Sequence, residues 1–195
     1  MRKYEGYEKA EAFTGEYERL EVGGYVCRIL QVKAEENDGT KNYDTLLKIG
    51  FDIAEGEHKD YYKRQFDRKK QNNADAKWPG MYYQTIKQSD LKYFKGFITA
   101  IEESNSGFKW DWDEQKLKNK LFGGVFAEEE YERSDGKVYT SVKCRFVRSV
   151  GAIRDGKFTV PEKKLLSGST LHKGVIGQAA DSGFAPMDDD DELPF

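Results

Sequence analysis

The sequence predicts a mainly β fold of the α+β class, and three patterns support this prediction. Apolar side chains alternate along residues 45–53, which is the period of a strand with one buried face. Between residues 89 and 103 they recur at spacings of three and four, which is the period of a helix with one apolar side. Two further strand-like runs, at residues 121–133 and 138–150, flank a turn at residues 134–137 and predict a hairpin.

Turn signals separate the predicted elements. Gly23-Gly24 precedes the first strand, and Asn37-Asp38-Gly39 is the centre of the loop that follows it. Glu55-Gly56 ends the second strand, Ser89 is the expected cap of the helix, and Asn105-Ser106-Gly107 ends that helix. The elements predicted in chain order are strands at residues 25–32, 45–53 and 60–68, a polar loop at 67–80, a helix at 89–103, a helical turn at 113–119, and strands at 121–133 and 138–150.

The order of three strands, one helix and two strands is that of the OB-fold, a small five-stranded barrel that commonly binds oligonucleotides. We therefore expect an OB-fold-like five-stranded barrel with one main helix and a flexible acidic C-terminal tail. The polar residues 1–21 are expected to form an N-terminal arm, and residues 22–162 the OB-fold domain. Residues 163–187 are rich in Gly, Ser and Ala and predict a flexible linker to a tip at residues 188–195.

Composition argues against several classes of protein. No apolar run approaches the roughly 20 residues that a membrane span needs, and the first residues lack the apolar segment of a secretory signal. Cys27 and Cys144 have no C-x-x-C spacing and fit reduced core residues of a cytoplasmic protein. Neither His58 nor His172 has a neighbour at metal-ligand spacing, and the sequence shows no phosphate-binding loop. We therefore expect a cytoplasmic protein without metal or cofactor, and not an enzyme.

Charge is divided unevenly along the chain. The formal net charge is −3, but residues 181–195 contain six acids and no Lys or Arg. These residues contribute −6, so the first 180 residues carry +3. A mildly basic body with an acidic tail fits a protein that binds a polyanion and whose tail can compete for the same groove.

The segment of residues 59–70 is the best candidate for contact with single-stranded nucleic acid, which requires cations for the phosphates and aromatic faces for the bases. It combines six cations, two anions and three aromatic residues. In a strand, neighbouring side chains point to opposite sides, so one aromatic set would stack on bases and the other would pack inside. A core strand with a solvated basic edge is the alternative. The residues predicted to contact DNA here are Tyr61, Lys63, Arg64, Phe66, Arg68, Lys69 and Lys70.

Two further sites complete the predicted interface. Trp78 lies in a polar loop and is either a loop anchor or a stacking platform. In the last strand, the even-numbered residues from 138 to 146 are expected to face the core, which would turn Tyr139, Lys143 and Arg145 outward. This outward row suits a nucleic-acid groove, and its alternative is an ordinary charged face.

Two other motifs have both a structural and a functional interpretation. Trp110-Asp111-Trp112 is either a packing plug between helical stretches or a second stacking platform. Glu128-Glu129-Glu130 could indicate nuclease carboxylates, but no second acidic cluster with a paired Lys lies at matching spacing. Adjacent acids on a strand point to both faces, which favours a solvated edge that resists strand pairing.

The last eight residues form an acidic tip with an apolar end. The run of like charges repels itself and stays solvated. The apolar end and its free carboxylate suit a partner whose apolar pocket is rimmed by Arg or Lys. A purely solubilising tail is the alternative. The residues predicted to bind a partner are Asp188, Asp189, Asp190, Asp191, Glu192, Leu193, Pro194 and Phe195.

This tip resembles the C-terminal tip of bacterial single-stranded-DNA-binding proteins, a family in which it recruits replication, recombination and repair enzymes. The resemblance covers residues 188–195 and implies single-stranded DNA and such enzymes as partners. The body is similar to a group of proteins encoded by phages and mobile elements of Gram-positive bacteria, through Gly23-Gly24-Tyr25-Val26-Cys27 and Leu121-Phe122-Gly123-Gly124-Val125-Phe126. It lacks the familiar sequence of the bacterial DNA-binding domain, so no other site residue is carried over.

We therefore expect a non-enzymatic protein that binds and protects single-stranded DNA independently of sequence, in replication or recombination of a phage or mobile element. The tip would recruit enzymes, and no membrane is expected to be involved. The alternative is a protein-binding adaptor or DNA mimic whose body does not bind DNA, and a nuclease subunit ranks third. A homo-oligomer is compatible with each of these functions.

Deleting residues 188–195 should tighten binding of single-stranded DNA at low salt, because the acidic tip would no longer compete for the basic groove. The gain should shrink as salt rises, since counterions screen the competition. Titrations of the full-length and truncated proteins at low and high salt measure both effects. Phe195→Ala is the control, because it keeps all the acids and should leave DNA affinity unchanged. An unchanged low-salt affinity after the deletion would contradict the competition.

Overall fold

The structure is a computed structural model that describes residues 2–9 and 18–166. In these ranges, five strands and three α-helices follow one another in the order β1-β2-α1-β3-α2-β4-β5-α3. The strands are β1 (Gly23–Glu36), β2 (Thr45–Ile53), β3 (Met81–Ile86), β4 (Leu121–Glu132) and β5 (Val138–Arg148). The helices are α1 (Tyr61–Asn72), α2 (Lys92–Ser104) and α3 (Val150–Arg154), and two 3₁₀ turns lie at Tyr7–Lys9 and Glu114–Leu117.

The five strands form one antiparallel sheet with the order β3-β2-β1-β4-β5. β1 is central and pairs with β2 on one side and with β4 on the other. β3 and β5 are the edges, and within the described residues they do not pair with each other. The prediction of a mainly β fold is thus confirmed, whereas closure of the sheet into a barrel is not confirmed. None of the helices in the described ranges is long and apolar enough to cross a membrane.

Elements with a strong hydrophobic period lie where the sequence predicts them. β2 has the predicted bounds, and β4 and β5 form the predicted hairpin. α2 corresponds to the helix predicted at residues 89–103, but it begins at Lys92. No side chain caps its N-terminus, so the predicted capping role of Ser89 is wrong. The helical turn predicted at residues 113–119 is the second 3₁₀ turn.

The predicted third strand at residues 60–68 is wrong, because this segment belongs to helix α1. Tyr62 and Phe66 are four residues apart, which places them on the same side of a helix, and both are buried together with Tyr61. The cations of the segment are exposed, and Lys70, four residues after Phe66, places its ammonium 5.2 Å from the Phe66 ring centroid. The third strand is instead β3, which follows the polar loop and pairs with β2.

The main core joins side chains of all five strands with those of α1 and α2. Phe51 on β2 is at its centre, and its ring makes edge-on contacts with Tyr62, Phe122 and Phe126 at centroid distances of 5.4, 5.5 and 6.0 Å. Such edge-to-face pairs are favoured by the quadrupole of the ring. α2 packs against β3, β4 and β5, so it connects both edges of the sheet to this core.

Two glycines in β4 permit close packing on both faces of the sheet. A Cβ at Gly123 would collide with Ile153 of α3 and with backbone carbonyl oxygens at the junction of β5 and α3. On the other face, a Cβ at Gly124 would lie 3.2 Å from the sulfurs of both Cys27 and Cys144. These two cysteines are buried free thiols. Side chains larger than hydrogen are therefore excluded at both glycines.

Gly123→Ala should lower the free energy of unfolding by about 1–3 kcal/mol, because the added methyl overpacks the contact with α3. Gly96→Ala is the matched control, since a Cβ at Gly96 meets nothing within 4 Å. Replacing a glycine by alanine inside a helix stabilises by roughly 0.5–1 kcal/mol. Urea denaturation of both variants and the parent measures the difference, and equal stabilities of all three would contradict the packing argument.

Candidate nucleic-acid interface

The aromatic residues predicted to stack on bases in residues 59–70 belong to the core. Tyr61 and Phe66 are only 7% and 8% exposed. The hydroxyl of Tyr61 accepts a hydrogen bond from the backbone N–H of Leu20 at 3.2 Å. Because neither ring presents a face to solvent, the structure does not support a stacking role for Tyr61 or Phe66. The alternative, a core strand with a solvated basic edge, is right that the aromatic residues are buried and the cations solvated, but wrong that the segment is a strand.

Trp78 is a loop anchor. It is 6% exposed, and its Nε1–H donates to the backbone carbonyl of Phe51 at 2.9 Å. Its ring lies 5.4 Å from that of Phe66, between centroids. A Trp held by both its polar and its apolar parts fixes the loop between α1 and β3 to the core. Of the two interpretations of Trp78, the anchor is therefore the one that the geometry favours.

The cations of α1 are exposed to solvent. Lys63 forms an ion pair with Asp67, one turn further along. Arg64 pairs with Glu18 at 2.7 Å, so the chain before β1 neutralises part of this surface. We call this surface the basic face of α1, and it consists of Lys63, Arg64, Arg68, Lys69 and Lys70.

Asp52 on β2 holds the basic face of α1 in position. Its buried carboxylate accepts hydrogen bonds from the backbone N–H groups of Tyr62 and Lys63, both at 2.9 Å. The first N–H groups of a helix have no partner inside the helix, so this carboxylate satisfies two of them. Burial raises the pKa of Asp52 above its ordinary value, although the N–H bonds act in the opposite direction.

The pairing of β4 with β5 places cations and aromatic rings in one row on β5. The odd-numbered residues of β4 from 123 to 131 share one face of the sheet. Their partners on β5 are, in the same order, Arg148, Phe146, Lys143, Ser141 and Tyr139. The register shifts at Arg145, which is the extra residue of a bulge. Phe146 therefore turns outward and is 39% exposed, while Val147 is buried. The prediction that Phe146 faces the core is wrong for this reason. We call Tyr139, Lys143, Arg145, Phe146 and Arg148 the outer row of β5.

At the hairpin end of this row, two rings lie beside two cations. Tyr131 and Tyr139 face each other across the strands with ring centroids 6.0 Å apart. The guanidinium of Arg133 lies 4.6 Å from the Tyr139 centroid, and the ammonium of Lys143 lies 5.9 Å from that of Tyr131. Val138, predicted to face the core, is 50% exposed because it lies beside the hairpin turn. The structure thus brings Tyr139 and Lys143 together with two residues that the sequence did not single out.

The acidic run of β4 binds cations instead of forming a solvated edge. Arg145 pairs with Glu129 at 3.2 Å, and Lys164 pairs with the same carboxylate at 2.6 Å. Lys163 pairs with Glu130 at 2.9 Å. Burial raises the pKa of the Glu129 carboxyl. Lys164 and Arg145 lower this pKa by more than burial raises it, so it lies below its ordinary value. These ion pairs attach the last described residues to β4, beyond the predicted start of the linker.

An open groove of about 830 Å³ lies between the two edges of the sheet, with β3 and α2 on one side and β5 on the other. We call it the seam groove. Tyr93 and Phe146 in its lining are 51% and 39% exposed. The charged residues that line it are Lys87, Lys92, Lys95, Arg145, Arg148, Asp90 and Glu103. No local sequence signal marks this site, because Lys92, Tyr93 and Lys95 have the pattern of an ordinary solvated helix face.

Other predicted sites have different outcomes. Trp110 is half-buried and makes an edge-on contact with Phe94 at 6.0 Å, in agreement with a packing role. Trp112 is 70% exposed, so the packing interpretation applies to only one of the two. Within residues 2–9 and 18–166, no group of three or more His, Cys, Asp or Glu side chains could hold a metal ion. The tip at residues 188–195 lies outside the described residues.

The sequence matches no protein-family model and no curated protein. The candidate interface is therefore defined by its geometry. It comprises the basic face of α1, the outer row of β5 and the seam groove. Exposed cations occur in all three surfaces, but exposed aromatic rings accompany them only in the row and the groove.

Asp52→Ala should lower the free energy of unfolding by about 1–3 kcal/mol, because two buried N–H groups of α1 would lose their acceptor. Asp67→Ala is the matched control, since it removes an acid from the exposed side of α1. Exposed pairs at this spacing contribute only about 0.3–0.5 kcal/mol. Guanidinium denaturation compares the two variants, and equal losses would show that Asp52 does not hold the helix.

Proposed function

We propose that this protein binds single-stranded DNA independently of sequence, and that the outer row of β5 is its principal contact surface. The observation that carries the proposal is the combination of cations with one exposed ring, Phe146, and one partly exposed ring, Tyr139, along one face of one strand. The cations would contact phosphates, and the rings would stack on bases. Because every base has a stacking face, such a surface does not select a sequence.

The dimensions of the row support this proposal. At about 3.3 Å per residue, the row extends about 30 Å from Tyr139 to Arg148. This length suits several nucleotides, in keeping with the roughly 4–16 that one OB-fold binds. The guanidinium of Arg148 lies 5.8 Å from the Phe146 centroid. A base stacked on this ring would therefore have its phosphate close to a cation.

The strand order supports an OB-type barrel that is partly open. β1 pairs with both β2 and β4, and α2 connects β3 to β4, as expected for the predicted OB-fold. β3 and β5 approach each other across the seam groove. The OB-fold is a partly open five-stranded barrel whose common ligands are oligonucleotides and oligosaccharides. We therefore assign the sheet to this architecture as part of the proposal.

The burial of β2 explains why the contact surface would lie on β5. In OB-folds, ligands bind on the face of strands 2 and 3. Here every residue of β2 after Thr45 is buried. Even Lys48 is only 4% exposed, and it pairs with Glu35 at 2.9 Å. With β2 covered, the exposed ring of Phe146 and the cations beside it lie on the edge strand β5.

The acidic tip would recruit replication, recombination or repair enzymes of a phage or mobile element. The chain remains attached to β4 as far as Leu166, whose N–H donates to Glu130 at 3.3 Å. Because Glu129 binds both Lys164 and Arg145, this attachment lies beside the outer row. A tail that starts here would hold a recruited enzyme close to the bound DNA.

Titration with oligothymidine should show binding that weakens steeply as salt rises, because phosphate contacts release counterions. The double variant Lys143→Ala/Arg148→Ala should bind all sequences more weakly and reduce the salt slope by about 1.4, at roughly 0.7 for each single-strand contact. The control is Lys118→Ala/Lys157→Ala, which changes the net charge equally outside the row and the groove. An unchanged slope in the first variant would exclude the row as the phosphate contact.

The same titration separates the proposed function from its alternative. An adaptor or DNA mimic predicts no detectable binding even at low salt, and that result would overturn the proposal. Alanine replacement of all five cations on the basic face of α1 tests the contribution predicted for them. A loss of binding larger than that of the row variant would move the principal contact surface to α1.

A further inference from the structure

We propose that the seam groove holds one nucleotide of the bound strand, with its base on an aromatic ring and its phosphate on the cations of the walls. This inference rests on the proposed function and adds a defined subsite to it. The volume of about 830 Å³ lies in the range of about 300–1,000 Å³ that is usual for small-molecule pockets. It is therefore large enough for a nucleotide.

Each exposed ring of the groove lies next to a cation. The ammonium of Lys92 is 4.8 Å from the centroid of Tyr93, on the wall formed by α2. On the opposite wall, the guanidinium of Arg148 is 5.8 Å from the centroid of Phe146. A nucleotide carries a flat base and a phosphate that are covalently joined. The two walls thus each present the pair of groups that complements a nucleotide.

The charge of the groove favours an anion. Five cations and two acids line it, which gives a net charge of +3. Asp90 is paired with Lys92 at 3.3 Å, which leaves Glu103 as the other acid of the lining. In the described part of the chain, the ammonium of Lys95 has no ion-pair partner. Arg145 is paired with Glu129, which is not part of the lining. Within the described residues, the lining cations without an ion pair are therefore Lys87, Lys95 and Arg148, and these are available to a phosphate.

The groove continues the outer row of β5. Arg145, Phe146 and Arg148 belong to both, because the bulge directs this end of the strand toward the seam. A strand that follows the row from Tyr139 would reach the groove at the end of its path. The nucleotide in the groove would thus be the terminal one of the strand path along β5.

Gly96 provides a way to block the groove without disturbing the fold. It lies in α2 at the lining of the groove, and a Cβ there meets nothing within 4 Å. The side chain of Gly96→Phe would therefore occupy the space assigned to the base. Gly151→Phe is the matched control, because Gly151 is an exposed glycine of α3 that also has open space and does not line the groove.

The experiment compares oligothymidine with an abasic strand of the same length at one salt concentration. Gly96→Phe should weaken binding of oligothymidine about 5- to 100-fold, the loss of one stacked base. Its binding of the abasic strand should equal that of the parent, and Gly151→Phe should bind both strands as the parent does. Tyr93→Ala, a truncation at an exposed site, should also weaken oligothymidine binding selectively.

Each other outcome is decisive. If the parent binds oligothymidine and both Gly96→Phe and Tyr93→Ala bind it equally well, the groove is off the strand path and this inference fails alone. If Gly96→Phe loses both strands equally, the groove contacts only the backbone and the base subsite is wrong. If the parent binds neither strand, the proposed function fails together with this inference. Should Gly96→Phe not fold, Tyr93→Ala decides between the same outcomes.

Discussion

Close packing across the glycines of β4 is the constraint on which the rest of the structure depends. Gly123 admits α3 to one face of the sheet, and Gly124 admits two thiols to the other. β4 also fixes the register of two neighbouring strands, because it pairs with β1 and with β5. Residues 23–27 of β1 lie against residues 122–126 of β4, with Gly23 opposite Phe126 and Cys27 opposite Phe122. Side-chain-free positions in β4 therefore permit close packing on both faces of the sheet, and the bulge at Arg145 sets which residues beyond it on β5 face outward.

Elements that bury a single face could be predicted from the sequence. Elements whose capping and packing contacts come from elsewhere in the chain could not. β2, α2 and the hairpin show a clear period of two or 3.6, so they lie close to their predicted bounds. α1 has no local start signal, because the N-cap residue Asp60 makes no side-chain capping bond. The carboxylate that caps α1 is Asp52, on the preceding strand. Adjacent aromatic residues at its start fit a strand as well as a helix, and only burial distinguishes the two.

The candidate site, too, could be predicted only where a local pattern along one strand describes it. Alternation along β5 predicted an outward row of Tyr139, Lys143 and Arg145, and the register of the hairpin places them so up to the bulge. Beyond the bulge the alternation reverses. A pattern along the sequence of β5 alone therefore could not have placed Phe146 and Arg148 in the same row. The seam groove is formed by two edges that are far apart in sequence. No linear motif describes such a site, because it exists only after the sheet has formed.

An ion pair holds one cation of the outer row of β5 against the acidic run of β4. The whole chain carries −3 but its first 180 residues carry +3, and charges on a surface act mainly within a Debye length of about 8–10 Å. Arg145 is paired with Glu129, and leaving a half-buried carboxylate unpaired is costly. Lys164 binds the same carboxylate at 2.6 Å. If Arg145 moved to another anion, Glu129 would therefore keep Lys164 as its partner, and the last described residues would stay attached to β4.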